Sequence, residues 1–191
     1  MRLKPLKTNA MKNILFIVGS LRKASFNRQL ALEAEKYLAG RAKVSYLDYG
    51  DVPWLNQDLE FPAPASVAKL RETVAKADAV WIFTPEYNSS YPGHLKNLLD
   101  WLSRPVAPND YATPTAINGK KVALSGAGGK MATADCRKKL TDLLSFIKAD
   151  VMTEPQTGIV LNKEAWSEGR MILTDEQRNA LEEQVEAFLR Y

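Results

Sequence analysis

A chain of 191 residues suits one α/β domain and buries enough core to need no disulfide or metal for stability. Its single cysteine, Cys136, excludes an intrachain disulfide, and one cysteine with one histidine excludes a zinc site of the usual Cys/His type. The net charge is +4, but Arg2, Lys4 and Lys7 fall in the first ten positions, so the rest of the chain carries +1 and has no clustered basic face for nucleic acid.

The elements begin after a polar, irregular stretch. We expect residues 1–10 to be a disordered N-terminal extension, either natural or added ahead of Met11, and residues 11–191 to form a single domain. The continuous apolar run at 14–18 predicts a central strand buried on both faces. Residues 25–39 predict a helix that Gly40 stops, and residues 43–47 predict a second strand.

Further strands and helices alternate along the chain. They are predicted as a helix at 66–77, a strand at 79–83, a helix at 93–102, a strand at 121–125, a helix at 132–148 and a fifth strand from 151–152 with 159–161. Thr174 as N-cap, with Gln177 at the capping-box position, opens a last helix towards Leu189. This alternation predicts an α/β fold with a doubly wound parallel sheet, whose ligands bind beyond the carboxyl ends of the strands.

The loop after the first strand carries the features of an anion site. Residues 19–28 join a buried strand to a helix, so backbone N–H groups meet the positive end of the helix. Ser20, Ser25 and Asn27 add short side-chain donors, and Arg22 adds a planar fork suited to phosphate oxygens. Neither the Walker pattern nor the dinucleotide fingerprint is present, which favours a terminal monophosphate. The alternative for Ser25 is a helix N-cap.

The loop after the third strand predicts a site for a flat heteroaromatic ring. Two prolines stiffen residues 84–93, Tyr87 and Tyr91 provide aromatic edges, and the backbone from Glu86 to Asn88 offers donors and acceptors. Asn88 is alternatively a turn residue. His94 is the only histidine. We favour a role for it at the start of the helix or at an interface over a role as a catalytic base.

Together the two loops resemble those of the NADPH-dependent FMN reductase family, the flavodoxin-like group of bacterial quinone, azo and chromate reductases. The resemblance implies a five-stranded sheet of order 2-1-3-4-5 with helices on both faces. It implies that the FMN phosphate is surrounded by Ser20, Arg22, Ser25, Phe26 and Asn27, and that the isoalloxazine is bordered by Pro85, Glu86, Tyr87 and Asn88. A third loop, beginning with Ser125 and Gly126, is implied at the ring's other edge. Residues 130–133 depart from the family pattern there.

The resemblance also implies the chemistry. FMN takes a hydride at N5 from NADPH or NADH and passes electrons to a small acceptor such as a quinone, an azo compound, chromate or free flavin, so we expect no catalytic side chain and no metal. It implies a homodimer or homotetramer, with residues 87–91 and the third helix at the contact. The lone cysteine fits a reducing cytoplasm, and no apolar stretch reaches the ~18 residues that span a bilayer, so we expect a cytoplasmic enzyme without membrane partners.

Three other functions fit the same fold. A flavodoxin-type electron carrier is the main alternative, although such carriers are strongly acidic and this chain is near neutral. The second is a flavin-free nucleotide-binding or regulatory domain, which would stay colourless when FMN is added. The third is a dehydrogenase that binds NAD alone, which the missing glycine fingerprint disfavours.

Overall fold

The computed structural model describes residues 11–191, so the expected N-terminal extension at 1–10 lies outside the described residues. The strands are β1 (Lys12–Val18), β2 (Ala42–Tyr46), β3 (Ala79–Phe83), β4 (Lys121–Gly128), β5 (Asp150–Val151) and β6 (Thr157–Val160). The helices are α1 (Phe26–Leu38), α2 (Ala65–Lys76), α3 (Gly93–Leu102), α4 (Ala134–Phe146), α5 (Lys163–Glu168) and α6 (Asp175–Arg190), with a 3₁₀ turn at Gln57–Leu59.

The strands form one parallel sheet in the order β2-β1-β3-β4-β5, which confirms the predicted flavodoxin-like order. Two short strands fill the fifth position. β5 pairs with the start of β4 at Lys121↔Asp150, and β6 pairs with its end at Ser125↔Thr157. Among residues 11–191 the sheet therefore has six strands, because the predicted fifth strand is interrupted between its two halves.

The apolar runs form central strands because both faces of the sheet are covered. Phe16 and Trp81 pack in a cluster with residues from α1 and α6, whereas Leu15 and Ile82 pack in a second cluster with residues from α2, α3 and α4. Every residue of β3 is buried, as a strand with helices on both sides requires. The helices thus leave the carboxyl ends of β1, β3 and β4 as the edge where loops gather.

Some predicted boundaries need correction. β4 continues to Gly128 instead of ending at Ser125, because β6 returns to pair with residues 125–128. α4 begins at Ala134, two residues later than predicted, because Ala132 and Thr133 have left-handed φ angles of 47° and 59°. The short helix α5 was not predicted. The capping box of Thr174 and Gln177 at the start of α6 is confirmed.

Candidate functional site

A cavity of about 360 Å³ lies at the carboxyl edge of the sheet. Residues from both predicted loops line it: Ser20, Arg22, Ser25, Phe26, Asn27, Pro85, Glu86 and Tyr87. The rest of the lining is Ala127, Gly128, Gly129, Leu161, Trp166 and Gly169. A larger groove of about 660 Å³ beside α1 contains none of the predicted site residues. The fold therefore brings the two loops to a single site at the point where strand order reverses.

The loop after β1 ends in a helix start whose charge favours an anion. Ser25 is the N-cap of α1, and its Oγ accepts a hydrogen bond from the Arg28 N–H at 3.2 Å. The first turn of α1 contains no acidic residue, so its positive end is not neutralised by its own side chains. The Arg22 guanidinium lies over the Phe26 ring, 4.8 Å from its centroid, at the cavity wall. Capping and anion binding are thus compatible at this helix start.

Asn27 has a structural partner. Its Nδ2 donates to the Ala127 carbonyl at 3.0 Å, and the Ala127 N–H donates to its Oδ1 at 2.8 Å. Both groups are buried, so the amide joins the start of α1 to the end of β4. Asn27 therefore lines the cavity and joins two of its walls, and one N–H of its NH₂ group is left to donate to a ligand.

Helix α4 holds the loop after β3 at the other wall. The Glu86 carboxylate accepts from the Cys136 N–H at 2.9 Å, and the Pro85 carbonyl accepts from the Cys136 Sγ at 3.4 Å. One turn further along, Lys139 Nζ donates to the Ser89 carbonyl at 2.6 Å. These three bonds hold the loop against α4.

Asn88 lies outside the cavity lining, at the tip of a tight turn. Tyr87 and Ser90 exchange backbone hydrogen bonds of 2.8 and 3.0 Å, and Asn88 and Ser89 between them have left-handed φ angles of 52° and 56°. Asparagine tolerates this conformation better than most residues. Asn88 therefore occupies a turn position, as the alternative interpretation of this residue expected.

Ser125 and Gly126 also lie away from the cavity, inside the sheet–helix contacts. The buried Ser125 Oγ donates to Gln184 Oε1 at 2.7 Å and accepts from Trp81 Nε1 at 2.9 Å. A Cβ on Gly126 would come within 2.1 Å of Thr133 Oγ1 and 2.5 Å of the Thr84 carbonyl oxygen, so glycine allows the turn before α4 to approach β4. The extension of β4 moves the wall of the cavity to Ala127, Gly128 and Gly129.

Trp166 is a lining residue that the sequence interpretation missed. It lies on α5, and its ring meets that of Phe26 edge to face with centroids 5.4 Å apart. A signal for α5 was present in the sequence. Asn162 caps the helix by accepting from the Ala165 N–H at 2.9 Å, and Gly169 ends it with a φ of 68°.

Cys136 and His94 are titratable groups whose pKa values are shifted by burial. Burial raises the pKa of the Cys136 thiol to about 11, so the thiolate is disfavoured at neutral pH. Burial also lowers the pKa of His94, which stacks on Tyr49 at a centroid distance of 5.9 Å and lies outside the cavity lining. Among residues 11–191, no group of three or more His, Cys, Asp and Glu side chains is placed to hold a metal.

Comparison with known proteins assigns the chain to a family. Residues 12–162 match the family described as NADPH-dependent FMN reductase. The chain belongs to the NADPH-dependent FMN reductase family.

Its relatives in this family carry reductase names. A 2-hydroxy-1,4-benzoquinone reductase of a Burkholderia species is 32% identical over 88% of this chain and 90% of that protein. A quinone reductase of Escherichia coli K12 is 38% identical over 78% of this chain and 79% of that protein. The solved structure of FerB, a flavoenzyme NAD(P)H:(acceptor) oxidoreductase from Paracoccus denitrificans, superposes with a TM-score of 0.83 at 34% identity, covering 95% and 97% of the two chains.

As a member of the NADPH-dependent FMN reductase family, the chain is an oxidoreductase that uses FMN and NAD(P)H. The donor set of the cavity fits this cofactor. A helix start free of acidic side chains, with Ser20, Arg22 and Ser25 beside it, suits a phosphate group. The apolar and small residues on the remaining walls suit a flat ring. Within the described residues, no helix of the enzyme is long and apolar enough to cross a membrane.

Proposed function

We propose that the cavity holds FMN with its phosphate against Ser20, Arg22, Ser25 and the start of α1, and with its ring beside Pro85, Glu86 and Tyr87. When bound, FMN supplies the redox chemistry, accepting a hydride from NAD(P)H and returning electrons to a small acceptor. The observation that carries this proposal is the convergence of both predicted loops on one cavity where strand order reverses. We place Ala127, Gly128 and Gly129, which line this wall of the cavity, at the ring's other edge, where Ser125 and Gly126 were expected.

The protein's own part is binding, orientation and control of access. Arg22 neutralises phosphate charge, and the α1 start adds N–H donors. The bonds from α4 to Pro85 and Glu86 keep the ring loop rigid, so the ring edge meets the same backbone groups in each turnover. The Tyr87 side chain is half exposed, which suits a cavity that small planar molecules enter from solvent.

For the acceptor we propose a quinone, because two relatives that share about a third of their residues with this chain are named for quinone reduction. Azo compounds, chromate and free flavin suit the same open site. The main alternative, an electron carrier that depends on a partner protein, receives no comparable support from the relatives.

The test is steady-state oxidation of NADPH and of NADH by FMN-loaded protein with benzoquinone as the acceptor and no other protein present. We expect sustained turnover that depends on both FMN and benzoquinone. Uptake of FMN without NAD(P)H oxidation would favour the electron carrier, and failure to bind FMN would favour the flavin-free domain.

We further propose that residues 11–191 act as one domain, that the enzyme works in the cytoplasm, and that it forms a homodimer or homotetramer through residues 87–91 and α3. Tyr87 supports this contact, since half of its side chain is exposed on a loop that α4 keeps rigid. Tyr87→Lys would place a charge there. Light scattering should then give a smaller mass for the variant than for the parent, whereas equal masses would exclude this surface as the contact.

A further inference from the structure

A second cavity, of about 570 Å³, lies next to the proposed FMN site. It opens between the β1–α1 loop and the residues that follow β2, and it shares Ser20 and Arg22 with the first cavity. Its lining contains three cationic side chains, Arg22, Lys23 and Arg28, and one acidic side chain, Asp48. Arg22 therefore stands between two adjoining cavities, and the second is positive overall.

The cations of this second cavity are available to a ligand. Within residues 11–191, neither Arg22, Lys23 nor Arg28 lies within ion-pair distance of a carboxylate. Cations grouped without acidic partners repel one another, and a bound anion relieves that repulsion.

One of these cations is already oriented. The Arg28 guanidinium lies over the Tyr46 ring, 3.8 Å from its centroid, and the Tyr46 hydroxyl donates to Glu35 at 2.7 Å. This stacking fixes the plane of the guanidinium, so a phosphate meets a fork that loses little freedom on binding. Asp48 opposes an anion, although its Oδ1 also accepts a weak bond from the Gly50 N–H at 3.4 Å.

We propose that this second cavity binds the 2′-phosphate of NADPH and gives the enzyme its preference for NADPH over NADH. The inference rests on the proposed FMN site, because the nicotinamide must reach the flavin ring. A dinucleotide with its nicotinamide at that ring is longer than the ribityl phosphate arm of FMN, so an adenosine end that runs alongside this arm reaches past the FMN phosphate. The second cavity shares Ser20 and Arg22 with the FMN site, so it adjoins the end that we assign to the phosphate. The 2′-phosphate distinguishes the two nucleotides. With Arg22 assigned to the FMN phosphate, Lys23 and Arg28 still outnumber Asp48, so the site favours the form that carries the 2′-phosphate.

The test uses the FMN-loaded protein and a variant with two substitutions, Lys23→Gln and Arg28→Gln, both at exposed side chains. Lys69→Gln is the matched control, since Lys69 is an exposed cation that lines neither cavity. Calorimetric titration measures binding of adenosine 2′,5′-bisphosphate and of adenosine 5′-monophosphate, which differ in the 2′-phosphate. We expect the double variant to bind the bisphosphate at least about tenfold more weakly and the monophosphate almost unchanged.

The kinetic counterpart is a rise in KM for NADPH with little change for NADH, and the FMN dissociation constant should stay at the parent value. Asp48→Asn should act in the opposite direction and tighten binding of the bisphosphate. Equal weakening for both adenosine nucleotides, an equal effect of Lys69→Gln, or a loss of FMN affinity in the double variant would each overturn the inference. If the parent takes up no FMN, the proposed function fails; if it takes up FMN and oxidises both nucleotides while the double variant binds the bisphosphate like the parent, this inference alone fails.

Discussion

The side-chain amide of Asn27 and the backbone of Ala127 form a reciprocal pair, with hydrogen bonds of 3.0 and 2.8 Å across a separation of 100 residues. The pair ties the start of α1 to the end of β4, and both residues line the cavity. It therefore couples the proposed phosphate end of the site to the end of β4.

Asn27→Ala should destabilise the protein even without FMN, because it leaves the buried N–H and carbonyl of Ala127 without partners. We expect a loss of about 1 to 3 kcal/mol in the free energy of unfolding, measured with urea on flavin-free protein. Asn179→Ala, at an exposed position on α6, makes the same chemical change and should have little effect. Unchanged stability of Asn27→Ala, combined with weaker FMN binding, would make Asn27 a phosphate ligand alone.

Arg22→Ala should weaken FMN retention far more than it slows turnover. In the proposed site the guanidinium supplies charge at the phosphate end, away from the ring, so we expect FMN to bind about 10- to 100-fold more weakly with a similar kcat at saturating FMN. Fluorescence titration measures the first quantity and steady-state kinetics the second. Arg22→Lys keeps the charge but loses the planar fork, so its FMN affinity should lie between those of the parent and Arg22→Ala. Equal FMN affinity in all three proteins would contradict the assignment.

Gln184 should contribute to stability without contributing to the site. It is fully buried, its Oε1 accepts from Ser125 Oγ at 2.7 Å and from the Thr157 N–H at 2.9 Å, and its Nε2 donates to the Leu124 carbonyl at 2.9 Å. Gln184→Leu leaves these groups unpaired and should lower the free energy of unfolding by about 2 to 5 kcal/mol. Gln57→Leu, at an exposed position, serves as control. An equally stable Gln184→Leu protein would show that the network contributes little.

His94 should make stability depend on pH. Burial lowers its pKa below 6.5, more than contact with the Gly19 backbone raises it. The unfolded chain then binds more protons than the folded one below about pH 6.5, so the free energy of unfolding falls as the pH falls through the range between the unfolded and folded pKa values. His94→Asn should flatten this part of the curve of urea midpoint against pH. Parallel curves for parent and variant would show that His94 titrates alike in both states.

The elements set by local patterns could be predicted from the sequence. The apolar run at 79–83 is β3, the leucines at helical spacing give α3, and Thr174 with Gln177 gives the start of α6. The two loops could be assigned to one edge because parallel strands point the same way. These local patterns are enough to predict that the candidate site lies at the carboxyl edge of the sheet.

The features that depend on distant partners could not be predicted. Nothing in the sequence around Ser125 indicates that Thr157 pairs beside it. This pairing extends β4 through residues that were predicted as a loop. Asn27 has the chemistry of a phosphate donor, and only the fold reveals that Ala127 takes its amide. Trp166 was missed for a different reason. Asn162 and Gly169 mark the two ends of α5 in the sequence, but the helix between them has only six residues and gives no clear periodic pattern.

The most direct test of the central claim compares FMN with riboflavin, which has the same ring and no phosphate. If the loop after β1 grips the phosphate, equilibrium dialysis of flavin-free protein should give an FMN dissociation constant at least about 100-fold lower than that of riboflavin, with Arg22→Ala reducing the difference. Equal binding of the two flavins, or no uptake of either by folded protein, would contradict the assignment of this cavity.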